Sequence, residues 1–292
     1  MKHLLNILTK NFIYKWTANI INLIISLLNY NFLNKITIHT IGDSHAQIPW
    51  EKIKHPEIQI NINNLGARLM YRVGRDQSLI NLRKLVEFYK KGFFPMADSR
   101  HAKTITFFKP LKRFIIPINN FHVPKKLFSI FKKQKYEFKI NTNFEQVITL
   151  CQKVQRKNED TWINDIIINT YTKLYKTKKS HCVECYENNN LVGGLYGVHL
   201  GRCFFGESMF SLQSNTSKLC LLYLIAILIK NKFSLLDSQF YNPHLAQFGA
   251  FEIPDKKYAT LLKKGLKNKA DFKDLRNFQE ALSAIQSINH KS

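Results

Sequence analysis

Glu207, Asp237 and Gln239 are the residues of this chain whose types and settings could do chemistry. Glu207 stands in Gly206-Glu-Ser-Met-Phe-Ser211, an acid among apolar residues at a strand end, where an unpaired carboxylate would be costly. Asp237 and Gln239 alternate in Leu236-Asp-Ser-Gln239, and alternation on one strand puts both side chains on one face. Two polar groups on one face of an apolar strand need partners or a ligand. A structural hydrogen-bond network and a binding site both meet that need. Gly193, Gly194 and Gly197 interrupt another strand-like run, as expected either for a wall along which a ligand lies or for tight contacts within a hairpin. Ser44, in Gly42-Asp-Ser-His45 after the alternating Ile36, Ile38 and Ile41, sits where a hydrolase nucleophile could stand. Cys182 and Cys185 form a lone CxxC with no second ligand pair at zinc spacing, which predicts two buried thiols and no metal.

The elements around these residues can be read from period and punctuation. Leu82, Leu85, Val86 and Tyr89 recur at helical spacing, Gly92 ends that helix, and Phe93-Phe94-Pro95 begins an extended segment. Pro110, Pro117 and Pro124 mark short strands and turns. Helices are expected over 144–156, with Asn143 as cap, and over 162–175. Strands follow over 181–186, 191–200 and 202–208, joined by turns at Asn188-Asn189-Asn190 and Leu200-Gly201-Arg202. Leu219–Ile229 is an unbroken apolar run of eleven, too short for a bilayer and expected as a buried helix with Asn215, Thr216 or Ser217 as cap. A buried strand over 234–239 completes an α/β layered fold.

Size and charge narrow the partners. In 292 residues, 45% of them hydrophobic, there is core for one large domain or two ordinary ones, and 22 Phe and 12 Tyr exclude a disordered composition. Lys and Arg total 44 against 20 acids, a net charge of +24 that favours a polyanion. The charge is concentrated: twelve Lys or Arg lie between Lys91 and Lys139 with only Asp98 and Glu137 against them. A second cluster runs from Lys256 to Arg276. Phe107, Phe108, Phe114, Phe121, Phe128 and Phe131 are interleaved with the first, as in surfaces that neutralise phosphates and stack bases. Five scattered cysteines argue against a secreted disulfide framework. Residues 1–35 read as an apolar, basic leader, an amphipathic helix on the protein or on a membrane surface.

Two resemblances add to this reading. Residues 36–76 resemble the opening block of the GDSL/SGNH hydrolases, truncated, because the later block pairing Asp with His is missing. Over about 190 residues the chain resembles the leucyl/phenylalanyl-tRNA–protein transferases. The matching pieces, in order, are Gly92-Phe-Phe-Pro-Met96, Arg113–Pro117, Phe121-His-Val-Pro124, Thr161-Trp-Ile163, Tyr171, His181 with Val183-Glu184, the glycine strand, Gly206–Ser211, Ser217-Lys218, Asp237 with Gln239, and His244-Leu245 through Gly249-Ala250. The resemblance implies an acyl-CoA N-acyltransferase-like domain at 139–275, preceded by a small mixed domain at 77–138 and followed by a tail at 276–292.

It also implies a cytoplasmic, monomeric enzyme that moves Leu, or Phe and less often Met, from aminoacyl-tRNA to an N-terminal Arg or Lys of an acceptor protein, marking it for degradation. The ester is already activated, so neither metal nor cofactor is expected. The acceptor amine, with an ordinary pKa of roughly 8, must be neutral to attack. By the family's pattern Asp237 orients Gln239, Gln239 contacts the amine, and Glu207 holds the aminoacyl or acceptor amine. Leu195, Phe204, Met209, Leu221, Leu228 and Leu236 would line the aminoacyl pocket. Trp162, Met96, Phe107, Phe108, Lys125 and Lys126 would hold the terminal adenosine and tRNA. Met96 stands where some relatives have an aromatic residue, and Ser238 replaces a common Cys. A catalytically inactive tRNA-binding relative and a hydrolase acting through Ser44 are the alternatives; intact Glu207, Asp237 and Gln239 oppose the first and the missing Asp–His block the second.

Overall fold

The computed structural model describes residues 36–39, 57–63, 66–73, 81–154 and 160–289. Ser44 and the leader at 1–35 lie outside them. Twelve strands and eight helices can be followed in the described residues. The first five strands, β1 (Ile36–His39), β2 (Glu57–Asn63), β3 (Gly66–Val73), β4 (Phe94–Met96) and β5 (Ile105–Pro110), make a sheet in the order β1-β2-β3-β5-β4. The hydrolase-like segment thus joins the sheet of the following residues, with β3 antiparallel to β5. Helix α1 (Leu82–Lys90) connects β3 to β4, capped by the Asn81 side chain and ended by Gly92 at φ 84°.

The other seven strands are β6 (Lys112–Ile116), β7 (Glu137–Ile140), β8 (Ser180–Glu187), β9 (Asn190–Leu200), β10 (Cys203–Ser211), β11 (Leu235–Asp237) and β12 (Phe251–Pro254), in the order β12-β6-β11-β10-β9-β8-β7. All neighbours are antiparallel except β10 and β11, which run parallel. The expected boundary at 138/139 falls within this sheet: β6 belongs to it, and the two sheets change over at Leu111. Arg113, in the middle of the basic run, is therefore a sheet residue.

The large sheet is covered on both faces, which is why β9 is apolar almost throughout. One face carries Leu195, Phe204 and Leu236 beneath α5 (Thr216–Lys230). The other carries Tyr196, Phe205 and Leu235 beneath α3 (Phe144–Lys153) and α4 (Asp165–Lys176). Helix α5 is buried around its whole circumference, as its unbroken apolar run requires. Its N-cap residue, Asn215 at φ 69°, makes no side-chain cap; the Ser217 N–H donates instead to Ser211 Oγ at 2.9 Å, and the Thr216 hydroxyl lies within hydrogen-bond reach of the Val192 and Gln213 carbonyls. Asn143 likewise makes no side-chain cap for α3. Helix α2 (Lys125–Lys132) packs on α5, α6 (Pro243–Ala246) is a single short turn, and α7 (Asp255–Lys267) lies against β6, β10, β11 and β12. Residues 278–289, set apart in the sequence as part of a tail, form α8 (Phe278–Asn289). Ala281, Ala284, Ile285 and Ile288, at spacings of three and four, bury it in the core with α5.

The three glycines of β9 answer the choice left open by the sequence. An added Cβ would lie 2.5 Å from Thr216 at Gly193, 2.7 Å from Phe210 at Gly194, and 2.3 Å from the Phe205 carbonyl at Gly197. Their space is filled by neighbouring elements. The CxxC cysteines fall in the clusters on opposite faces of the sheet, and all five cysteines are buried outside any disulfide.

Candidate active site

Strand β10 is longer than its parallel partner. Pairing with β11 covers only Cys203–Phe205 against Leu235–Asp237, and β10 then continues to Ser211. A bulge between Gly206 and Ser208, opposite Gly197 and Tyr196, leaves Glu207 as the extra residue. Bulges re-aim side chains, and this one sends the Glu207 carboxyl toward the α1 and α4 side of the sheet. Glu207 Oε1 accepts from the Tyr89 hydroxyl at 2.7 Å and from Gln239 Nε2 at 3.3 Å. Oε2 accepts from the Tyr171 hydroxyl at 3.2 Å. The two tyrosine hydroxyls also contact each other. Part of Glu207 stays open to solvent, but its carboxyl lies deep, and desolvation pushes its pKa up to about 8 despite the tyrosine hydrogen bonds, which lower it. Burial and the Glu207 charge raise both tyrosines well above their ordinary value.

Asp237 closes β11 and is fully buried. Its carboxylate accepts from Arg113 Nε at 2.8 and 3.0 Å, from Arg113 Nη2 at 2.7 Å, from the Tyr258 hydroxyl at 2.6 Å and from the Gln239 backbone N–H at 2.9 Å. Arg113 lies between the rings of Phe94 and Tyr258, 4.6 and 4.5 Å from their centres, and its Nη1 donates to the Gly92 carbonyl at 2.9 Å. Burial, the largest single influence, would lower the pKa of this guanidinium; the charge and hydrogen bonds of Asp237, with Tyr258 and Glu207 nearby, together outweigh it and raise the pKa above the ordinary value. Gln239 lies beyond the strand at φ 62°. The expectation that Asp237 and Gln239 share a strand face is therefore corrected. The strand ends at Asp237, and the left-handed turn is held by the Asp237 carboxylate and by the Phe114 N–H donating to the Gln239 carbonyl at 3.1 Å.

The three polar residues singled out in the sequence thus meet, with Gln239 bridging toward Glu207. The apolar set does not surround them. Leu195, Phe204, Leu221, Leu228 and Leu236 are core residues at most 4% exposed on the α5 side, and Met209 is partly buried against the same cluster. Of the adenosine set, Met96 and Trp162 are half-buried neighbours, joined by the Ala97 N–H to the Trp162 carbonyl at 3.0 Å. Phe107 is fully buried with Phe88 stacked 4.1 Å away, and Phe108 packs toward Phe94 and Phe240. Lys125 and Lys126 are exposed in the first turn of α2. Sequence reasoning missed the site roles of Arg113, Tyr89, Tyr171 and Tyr258. Arg113 and Tyr171 stand in the sequence only as parts of matching family blocks with no role attached, Tyr89 as a helix-face residue, and Tyr258 is not singled out.

Fold and site together define a mixed α/β protein with a carboxyl–carboxamide–phenol cluster at the point where two parallel strands part. A family model described as leucyl/phenylalanyl-tRNA protein transferase matches residues 115–263. The leucyl/phenylalanyl-tRNA–protein transferase of Caulobacter vibrioides is 40% identical over 208 residues, covering 71% of this chain and 96% of that protein. That of Chlorobaculum tepidum is 38% identical over 194 residues, covering 66% of this chain and 100% of its own length. That of Hyphomonas neptunium is 44% identical over 188 residues, covering 64% and 73%. The chain belongs to the leucyl/phenylalanyl-tRNA–protein transferase family of aminoacyltransferases.

Proposed function

We propose that this chain transfers Leu, or Phe and less often Met, from aminoacyl-tRNA to the N-terminal Arg or Lys of acceptor proteins in the cytoplasm, acting as a monomer and marking those proteins for degradation. The observation that carries the reading is the contact of Gln239 Nε2 with Glu207 Oε1 where β10 outruns β11. There a carboxyl and a carboxamide face a place where Gly206 leaves room, since an added Cβ would meet only the Asp237 carbonyl, at 3.6 Å. The acyl group enters where the two parallel strands part. Met209, half-buried on the α5 side, is the member of the apolar set that meets the acyl side chain; Leu195, Phe204, Leu221, Leu228 and Leu236 are packed core behind it. Gln239 contacts the attacking amine, Glu207 holds an amine beside it, and Asp237 orients Gln239. Holding the two reactants together supplies much of the rate.

Met96 and Trp162 flank the terminal adenosine, with Phe107 and Phe108 as the apolar bed behind them. Lys125 and Lys126 meet tRNA phosphates. The ester is activated before it arrives, so the reaction calls on no cofactor.

The test is transfer of labelled Leu from leucyl-tRNA to two versions of one protein, beginning with Arg and with Ser. Label on the Arg-initiated protein alone is the expected result; no transfer to either removes the reading.

A further inference from the structure

Resting on the reading just given, we infer that Arg113 is the positioning residue of the transfer site: it saturates Asp237, so that Asp237 holds the Gln239 turn and takes no proton, and Glu207 is left as the carboxyl that exchanges protons with the acceptor amine. An ionised carboxylate has about four lone-pair sites. At Asp237, Oδ1 takes Arg113 Nε and the Gln239 N–H, while Oδ2 takes Arg113 Nη2 and the Tyr258 hydroxyl, with Arg113 Nε also within 3.0 Å. Nothing is left over for an amine proton. Arg113 and Asp237 are 1% and 0% exposed, and the fork-shaped, two-point contact between them fixes the orientation of both. The guanidinium is itself immobilised by two aromatic faces and by the Gly92 carbonyl, so residues 92–94, β6 and β11 are all tied to one cation.

The consequence reaches the chemistry through Gln239. A non-glycine residue at φ 62° is held against its own preference. The Asp237 carboxylate is one of its two backbone tethers, and the Gln239 side chain touches Glu207 only from that turn. Two carboxyls side by side are thereby given separate tasks by their surroundings. Asp237 is paired and closed; Glu207 is held by neutral phenols and by an amide. In the reaction the amine nitrogen bonds to the ester carbonyl carbon and the carbon–ribose oxygen bond breaks. Of the three protons on the starting α-ammonium, one stays on the amide nitrogen and one ends on the released ribose hydroxyl. The third leaves through Glu207 to solvent. A carboxyl with pKa about 8 exchanges a proton with such an amine at little cost in either direction.

The experiment compares steady-state transfer across pH for wild type, Asp237→Asn, Glu207→Gln, Arg113→Lys and Tyr258→Phe. Asp237→Asn keeps an oxygen for the Gln239 N–H; the expected result is a turnover loss of roughly tenfold, with the acidic limb of the pH–rate profile intact. Glu207→Gln should lower turnover and remove the Glu207 share of that limb, leaving only the amine's own ionisation at a pKa of roughly 8. Arg113→Lys, which keeps charge but not the fork, should lower turnover more than tenfold with little change in KM for aminoacyl-tRNA, and Tyr258→Phe should do the same more weakly. Loss of the limb in Asp237→Asn, or a normal turnover in soluble, folded Arg113→Lys, overturns the inference. If Arg113→Lys does not fold, the Asp237→Asn and Tyr258→Phe profiles decide. Failure of wild type to transfer at all would remove the functional reading instead.

Discussion

The Tyr89 hydroxyl donates to Glu207 Oε1 at 2.7 Å, across 118 residues of sequence. Helix α1, which precedes the large sheet in the chain, thus supplies one wall of a site whose carboxyl stands on β10. With Tyr171 from α4 it places two phenols around one acid; desolvation of that carboxyl outweighs the lowering by the phenol hydrogen bonds and raises its pKa.

The first prediction follows from that proton. The folded pKa of Glu207, about 8, lies above its ordinary 4.5, so the folded protein binds the proton more tightly than the unfolded chain does. This group's contribution to stability is therefore fully present at low pH and declines as pH rises from about 5 to about 8. Buried His181, lowered to about 3, contributes the opposite slope below its ordinary pKa of 6.5. The comparison should thus be made at each pH between wild type and Glu207→Gln. Thermal melts should show the variant gaining on wild type as pH rises; parallel curves would mean that Glu207 does not hold the proton.

Gln239 offers a test that separates side chain from backbone. Gln239→Gly removes the carboxamide and relieves the left-handed turn of its strain, while Gln239→Ala removes the carboxamide and keeps the roughly 1 kcal/mol of strain that Gln239 already bears. Both should lose on the order of 10²-fold in turnover, and the glycine variant should melt no lower than the alanine variant. A glycine variant with near-normal turnover would mean that the carboxamide does not touch the amine.

Gly197→Ala should damage the fold and spare recognition. Its Cβ would fall 2.3 Å from the Phe205 carbonyl and 2.5 Å from the Phe204 ring, contacts that only backbone movement relieves. A destabilisation of about 1–3 kcal/mol in denaturant titration is expected, with affinity for aminoacyl-tRNA unchanged in the folded fraction. A selective loss of affinity at full stability would restore the view of this strand as a substrate wall.

Lys125, Lys126, Lys132 and Lys133 project from α2 into solvent. If they meet phosphate, log affinity for aminoacyl-tRNA should fall with log salt at a slope near −4 for about five contacts. Replacing these four by Gln should flatten the slope. An unchanged slope would place the RNA on the Lys256–Arg276 cluster.

Much of this protein is written in its sequence. The eleven-residue apolar run at Leu219–Ile229 allows nothing but a buried helix. The strand-like runs over residues 180–211, punctuated by Asn188-Asn189 and Gly201, become an antiparallel meander with those residues at positive φ. The ordered blocks from Gly92 to Ala250 carry the family, and Glu207, Asp237 and Gln239 stand out as polar residues in apolar runs. Local period and local conformational preference suffice for each of these, because each is a property of neighbours along the chain. Tertiary structure alone decided which groups meet. Arg113 is one of twelve cations in a basic stretch, where charges are expected in water. It is buried because β6 is inserted beside β11, 124 residues away, and brings it onto Asp237. The bulge that turns Glu207 toward Tyr89, and the positive φ that takes Gln239 off the strand, are likewise set by contacts between segments distant in sequence. Side-chain period reports which face of an element is apolar; it does not report which faces are brought together.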